Sequence, residues 1–131
     1  MVEIPIDDVR SALPLFEGFD DSIPTSPKQL DIRSIPLARA LALNDAWHSR
    51  LPKLANPQGC FSFCAEFKGS CFAIAIWGHP VARAYNDKKF VELRRMAIVD
   101  EAPKYTATFM LGWMLRWLRR ETDYTRAISY Q

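Results

Sequence analysis

The residues with the clearest chemical potential lie where a predicted strand gives way to a predicted helix. The segment from Phe90 to Val99 is typical of a strand, and the apolar spacing from about Pro103 to Glu121 predicts a helix. The start of that helix contains Lys104, Tyr105, Thr106, Ala107 and Thr108. The first N–H groups of a helix have no intrahelical partner and carry partial positive charge, so this segment could hold a phosphate or pyrophosphate. An ordinary strand-to-helix turn is the alternative.

His48 and Ser49 form a second candidate site, at the end of a predicted helix that runs from about Leu37 to Ser49. A histidine whose pKa lies near physiological pH can deprotonate an amine or bind a metal. A histidine that merely complements the helix dipole is the alternative. His79 precedes Pro80 where a strand breaks, and it is interpreted as structural.

The chain has three cysteines, Cys60, Cys64 and Cys71. Their spacing fits no zinc motif, so we interpret them as small buried hydrophobic residues and predict no metal site. An odd cysteine count and an N-terminus without a signal sequence predict a reduced, cytoplasmic protein.

Composition predicts one compact domain, because 49% of the 131 residues are hydrophobic and 24% are charged. No uncharged apolar run approaches the roughly 18 residues that a membrane span needs. The net charge is +2, but residues 1–31 carry seven acidic and two basic side chains, whereas residues 81–131 carry six acidic and ten basic ones. Four arginines of this basic end form either a solvated face or a patch that binds nucleic acid: Arg116, Arg119, Arg120 and Arg126.

Residues 1–30 are predicted to be an acidic, proline-rich arm and residues 31–131 to be the folded domain. A strand near residues 31–35 and the first helix come before two aromatic runs, residues 60–67 and 71–77, which predict an antiparallel hairpin. The third antiparallel strand, the long helix and a last strand from Arg126 follow. A strand-helix-strand crossover makes the last two strands parallel neighbours. The predicted fold is therefore α/β, with a mixed, mainly antiparallel sheet.

Two side-chain arrangements follow from these periods. Trp113 and Trp117 lie four residues apart on the long helix and should pack against the sheet. Strict alternation places Arg94 and Arg95 on opposite faces of their strand, with Glu92 on the face of Arg94.

The element order and several local strings resemble the GNAT superfamily of acyl-coenzyme A-dependent N-acyltransferases. More narrowly, they resemble the branch that contains the Mom protein of bacteriophage DNA modification. The strings that carry the resemblance are Ala46-Trp47-His48-Ser49, Trp77-Gly78-His79-Pro80-Val81-Ala82-Arg83, Glu92-Leu93-Arg94-Arg95-Met96-Ala97-Ile98, the run from Ala102-Pro103-Lys104 to Met110-Leu111-Gly112, and Ile128-Ser129-Tyr130-Gln131.

The resemblance implies a site as well as a fold. The residues that it implies for coenzyme binding are Ala97, Ile98 and Val99 for pantetheine and Lys104, Tyr105, Thr106, Ala107 and Thr108 for the pyrophosphate. The catalytic residues that it implies are His48, Ser49 and Tyr130. The chain departs from the superfamily in having no glycine-rich loop before the helix, although the small side chains there permit close approach and two hydroxyls add donors.

The implied activity is transfer of an acyl group from acetyl-coenzyme A, or another acyl-coenzyme A, to an amine. The Mom-like branch makes that amine an adenine in DNA. This branch usually continues with a helix and two more strands, so the resemblance suggests a chain that is truncated at its C-terminus. A catalytically silent module whose open sheet edge pairs with a partner, including a second copy, is the alternative.

Overall fold

The computed structural model of the protein describes residues 21–47, 61–80 and 89–129. It shows a five-stranded sheet with one helix on each face, which confirms the predicted mixed α/β architecture. In chain order, the strands and helices are β1 Asp31–Ser34, α1 Leu37–Trp47, β2 Phe61–Phe67, β3 Ser70–Gly78, β4 Phe90–Ile98, α2 Thr106–Glu121 and β5 Arg126–Ser129.

The strands lie in the sheet in their order along the chain, β1-β2-β3-β4-β5. The first three pairings are antiparallel, and β4 and β5 are parallel. This confirms both the predicted hairpin and the predicted parallel pair. Lys68 and Gly69 join β2 to β3 with positive φ angles of 50° and 84°, as expected of a two-residue hairpin turn whose twist matches that of the strands.

The sheet is buried on both faces at its centre. In β3, Ala73, Ala75 and Trp77 pack toward α2, whereas Ile74 and Ile76 belong to the cluster beneath α1. This arrangement explains why β3 reads as a continuous apolar run without alternation.

Aromatic contacts fix the long helix on its side of the sheet. Phe63 of β2 is fully buried and meets Trp113 and Trp117 edge-on, with ring centroids 5.7 and 5.1 Å apart. Edge-to-face contacts of this kind stabilise aromatic pairs beyond the area that they bury. The predicted packing of both tryptophans is therefore confirmed.

The described part of the N-terminal segment is packed against the domain. Pro24 is buried, and Leu30 belongs to the core cluster on the α2 side. A short 3-10 turn at Pro27–Gln29 lies between them and begins with a capping box in which the Gln29 side chain accepts from the amide of Ser26. Residues 1–20 lie outside the described residues, so the boundary at residue 30 remains a prediction.

Helix α2 begins at Thr106, three residues later than the sequence predicts. Tyr105 has φ 69° and ψ 14°, a left-handed conformation that cannot be part of a right-handed helix. The helix therefore starts three residues after the predicted start at about Pro103, and residues 99–105 form the connection from β4.

The predicted faces of Arg94 and Arg95 are corrected by an irregularity in β4. Leu93 lies opposite Trp77 and Arg95 lies opposite Ile76, so β4 contains one extra residue at this point. Because Ile76 packs beneath α1, Arg95 is on the α1 face, together with Glu92. Alternation fails here because a β-bulge shifts the side-chain period by one residue.

The described ranges contain neither a membrane-spanning helix nor a cluster of metal-binding side chains. No helix within residues 21–47, 61–80 or 89–129 is long and apolar enough to cross a membrane. Over the same ranges, no group of three or more His, Cys, Asp or Glu side chains is placed to hold a metal ion.

Candidate functional site

The parallel pair leaves part of one β4 edge without a strand partner in the described chain. β5 pairs with Phe90, Val91, Glu92 and Leu93 of β4. Further along β4, Met96, Ala97 and Ile98 pair with β3, and none of them has a β5 partner within the described residues. The bulge separates these two halves of the strand. Within the described residues, the edge of β4 at Met96 and Ile98 therefore has no strand beside it. The resemblance implies the pantetheine arm at this open edge.

The direction of the backbone groups at this edge follows from one hydrogen bond. The amide of Val99 donates to the carbonyl of Phe72 at 3.0 Å, so Val99 directs its amide toward β3. Backbone groups of successive residues in a strand point to opposite sides. Ala97 therefore also directs its backbone groups toward β3, whereas Met96 and Ile98 direct theirs toward the opposite, open edge of β4.

The start of α2 has backbone amides available and one hydroxyl already used. The hydroxyl of Thr106 donates to the carbonyl of Pro103 at 2.6 Å, and the Thr106 side chain is buried. Ala107 and Thr108 are exposed in the first turn, where N–H groups have no intrahelical acceptor. In the described part of the chain, no side chain caps this helix, and its first turn contains no acidic residue. An anion could therefore bind the amides of Ala107 and Thr108 without displacing a side chain that the structure describes.

The residue before this helix is strained. Tyr105 is 72% exposed and has a positive φ, a conformation that is uncommon for a residue with a large side chain. Such strain persists where the surrounding structure imposes it, and it is enriched at functional sites. Lys104, also exposed, lies with its ammonium 6.0 Å from the Tyr105 ring and adds positive charge near the helix start.

The three predicted catalytic residues, His48, Ser49 and Tyr130, lie outside the described residues. α1 is described to Trp47 and β5 to Ser129, so the described chain reaches the residue before His48 and the residue before Tyr130. Their roles remain predictions.

Two buried polar groups lie on the α1 face, and neither was predicted from the sequence to be a site residue. Glu92 is 7% exposed and lies opposite Gly78 at the point where β4 is still paired with β5. Asn44 of α1 is 2% exposed, and its side-chain carbonyl has no hydrogen-bond partner among the described residues. Buried polar groups are costly to retain, which makes both residues candidates for a functional role. For Glu92, the sequence signal is a single charged residue between the apolar residues Val91 and Leu93.

A cavity of about 550 Å³ lies elsewhere, between the C-terminal half of α2 and β5. It is lined by Val91, Leu115, Leu118, Arg119, Thr122, Asp123, Tyr124, Thr125, Arg126 and Ala127. None of these residues belongs to the second half of β4 or to the first turn of α2, so the cavity is separate from the anion site.

Comparison with known proteins identifies the fold. No protein-family model matches the chain, and no curated protein matches it. Solved structures do: aminoglycoside acetyltransferase AAC(6')-Iy bound to a coenzyme A bisubstrate analogue is 17% identical, with a TM-score of 0.58 over 78% of this chain and 79% of that one. The ribosomal-protein-alanine N-acetyltransferase of Brucella melitensis biovar Abortus 2308 is 14% identical, with a TM-score of 0.56 over 76% and 78%.

A third solved structure has the same architecture. Aminoglycoside acetyltransferase meta-AAC0020, from an uncultured soil metagenomic sample, was solved with sisomicin and is 12% identical, with a TM-score of 0.58 over 79% of this chain and 78% of that one. At these identities the likeness concerns the fold. The chain thus has the GNAT-like α/β fold of N-acetyltransferases, as the resemblance implied.

Proposed function

We propose that this protein is an acyl-coenzyme A-dependent N-acyltransferase. The observation that carries the proposal is the succession of two features along the chain. They are the edge of β4 at Met96 and Ile98, which has no strand partner in the described part of the chain, and the exposed first-turn residues Ala107 and Thr108 of the helix that follows. A strand edge hydrogen-bonds an extended amide chain, and a helix start binds phosphates. Coenzyme A has both parts in one molecule, a pantetheine arm and a pyrophosphate.

The structural relatives support the choice of coenzyme. AAC(6')-Iy was solved with coenzyme A and with a coenzyme A bisubstrate analogue, on the same fold. We take acetyl-coenzyme A as the donor and an amine as the acceptor. The cytoplasmic setting predicted from the cysteines is part of this proposal.

The chemistry requires an amine that is deprotonated as it attacks the thioester carbonyl. The carbonyl carbon forms a bond to nitrogen, its bond to sulfur breaks, and the coenzyme leaves as a thiolate that takes up a proton. We assign His48 as the base, because a neutral imidazole accepts a proton near pH 7, and Ser49 and Tyr130 as its neighbours in the site. Glu92 is the competing base on the described part of the chain, because it is a buried carboxylate beside the β4 bulge.

Thermal unfolding with acetyl-coenzyme A tests the binding half of the proposal. A ligand present at 100 times its Kd stabilises the folded state by roughly 2.7 kcal/mol, which should raise Tm clearly. Adenosine without the pyrophosphate is the control. No stabilisation by acetyl-coenzyme A at millimolar concentration would contradict the proposal.

Two variants test the catalytic half. His48→Ala should lower kcat by about 10²- to 10⁴-fold, the usual contribution of a general base, while the stabilisation by acetyl-coenzyme A is retained. Glu92→Gln keeps the size and most hydrogen bonds of the side chain, and its kcat should stay near that of the wild type. The opposite pattern would assign the base to Glu92, and full activity in both variants would remove both residues from the mechanism.

A narrower form of the proposal makes the acceptor amine an adenine in DNA. It follows from the Mom-like resemblance and agrees with the excess of basic residues in the C-terminal part of the chain. Arg116, Arg119 and Arg126 are exposed on α2 and β5, although Asp123 and Glu121 reduce the local positive charge. Binding through such residues weakens as salt rises, since each phosphate contact releases counterions. An affinity for duplex DNA that does not change with salt, or no affinity at low salt, would count against this acceptor.

A second class of function is favoured by the exposure of β5. Arg126, Ala127 and Ser129 are exposed, and β5 is the last strand of the described sheet. An edge of this kind can pair with a strand of a partner, including a second copy of the chain. A homodimer in solution whose Tm does not respond to acetyl-coenzyme A would favour this silent interaction module over the transferase.

A further inference from the structure

The cavity between α2 and β5 has an apolar floor that reaches the edge of the sheet. Val91 of β4 and Leu118 of α2 are almost fully buried there, whereas Leu115 is 40% exposed and Ala127 of β5 is also exposed. Ala127 pairs with Val91, which packs in the cluster beneath α2, so both residues lie on the α2 face. β5 is the last strand of the described sheet. Apolar surface of α2 and β5 is therefore exposed at this edge.

Two arginines give the cavity a net positive charge. Arg119 of α2 and Arg126 of β5 line it, and both are exposed. Neither guanidinium group forms an ion pair with another described residue. Asp123 also lines the cavity, so two positive charges stand against one negative charge. The cavity therefore fits an occupant that combines apolar side chains with carboxylates.

The first residues of this chain have that composition. Residues 1–20 carry five acidic side chains and one basic one, Arg10. Residues 2–7 read Val-Glu-Ile-Pro-Ile-Asp, in which apolar residues alternate with two carboxylates and a proline. Such alternation is typical of an extended segment with one apolar face. Proline is tolerated in an edge strand, because one side of that strand has no hydrogen-bond partner.

The described chain brings this segment within reach of the cavity. Leu30 packs in the core on the α2 side, and the 3-10 turn at Pro27–Gln29 contacts α2 itself. Twenty residues precede Asp21, and they span up to about 65 Å when extended. Helix α2 has 16 residues and is about 24 Å long, and a sheet of five strands is about 20 Å wide. Residues 1–10 can therefore reach β5 from the α2 side of the sheet.

We propose that residues 2–7 bind in this cavity as an extended segment along the exposed edge of β5. The three apolar side chains of the segment cover the exposed apolar surface, and removal of that surface from water drives the binding. Its carboxylates pair with Arg119 and Arg126. A β5 edge that holds this segment is not free to pair with a strand of a second copy. The inference does not depend on the proposed acyltransferase activity.

Trypsin tests whether the segment is bound, because Arg10 is the only lysine or arginine in residues 1–20. Cleavage after Arg10 removes a ten-residue fragment, which intact-mass analysis follows at early times. A synthetic peptide of residues 1–20 gives the cleavage rate of the unbound segment. The full protein should be cleaved there at least about tenfold more slowly, since the protease acts on the released segment. Equal rates in the protein and the peptide would overturn the proposal.

Charge variants test which surface holds the segment. Arg119→Glu combined with Arg126→Glu turns two attractions into repulsions, so cleavage after Arg10 should become faster by about fivefold or more. Both arginines are exposed, so the domain should still fold. Arg120→Glu is the matched control, because Arg120 is exposed on the same helix, does not line the cavity and hydrogen-bonds to Glu121. Equally slow cleavage in the double variant and in Arg120→Glu would refute the proposal.

Photo-crosslinking locates the segment directly. Ile4→p-benzoylphenylalanine keeps an apolar side chain at this position and adds a photoreactive group. Crosslinks should be recovered on residues 115–127 of the same molecule. Crosslinks confined to other parts of the surface would overturn the proposal. Crosslinks that join two molecules, detected as a doubled mass, would overturn it as well, because the occupant would then be a second copy of the chain.

Discussion

A carboxylate placed at residue 108 should affect stability and coenzyme binding in opposite directions. Thr108 is exposed in the first turn of α2, a turn that contains no acidic residue. Thr108→Asp puts a negative charge beside the partial positive charge of the helix start, which typically stabilises a protein by about 0.3–1 kcal/mol. With an unfolding entropy of roughly 2.1 cal/mol/K per residue, this is an increase in Tm of about 1–4 °C for a chain of this length.

The same charge should repel the pyrophosphate. Two like charges about 5 Å apart interact by roughly 1 kcal/mol in water and by roughly 3 kcal/mol at an effective dielectric constant of 20. Coenzyme A should therefore bind more weakly by about fivefold to a hundredfold, with a larger effect at low salt. Because stability should rise while the affinity for coenzyme A falls, a loss of folded protein cannot explain the weaker binding.

Isothermal titration calorimetry with coenzyme A and thermal unfolding without it measure the two effects. Thr108→Asn, which is neutral and similar in size to aspartate, is the matched control and should bind coenzyme A within about twofold of the wild type. If Thr108→Asp raises Tm and binds coenzyme A as tightly as Thr108→Asn does, the phosphates do not lie at the start of α2, and the proposed site is wrong.

Two further predictions concern the scaffold that holds the site. Phe63→Ala removes a fully buried ring from its contacts with Trp113 and Trp117. The free energy of unfolding should fall by about 3–5 kcal/mol, which lowers Tm by about 10 °C or more. A fall in Tm of less than about 3 °C would show that this packing is not part of the core. Gly69→Ala should destabilise the hairpin by roughly 1 kcal/mol, because Gly69 has φ 84°, and the cause is not a clash, since no atom lies within 4 Å of an added Cβ. Gly69→Asn should destabilise it by less, because asparagine tolerates a left-handed backbone conformation. Chemical denaturation should give this order, and equal stabilities for the two Gly69 variants would contradict the backbone explanation.

Sequence alone determined the elements whose patterns are local. The hairpin follows from two aromatic runs around Lys68 and Gly69, and the long helix follows from the spacing that includes Trp113 and Trp117. These predictions held because burial of one face imposes a period of 2 on a strand and of 3.6 on a helix. The start of α2 was misplaced since proline at 103 is typical of a first helical turn, and the left-handed conformation of Tyr105 has no marker in its residue type.

Only the tertiary structure decided which groups meet at the sites. The bulge in β4 puts Arg95 on the face of Glu92, which reverses what alternation predicts. The described residues of β5 pair only with the first half of β4, and the edge at Met96 and Ile98 is the one proposed for pantetheine. A bulge or the end of a strand pairing is set by how neighbouring strands twist and fit across the sheet. That fit depends on residues far apart in the chain, so no local pattern reports it.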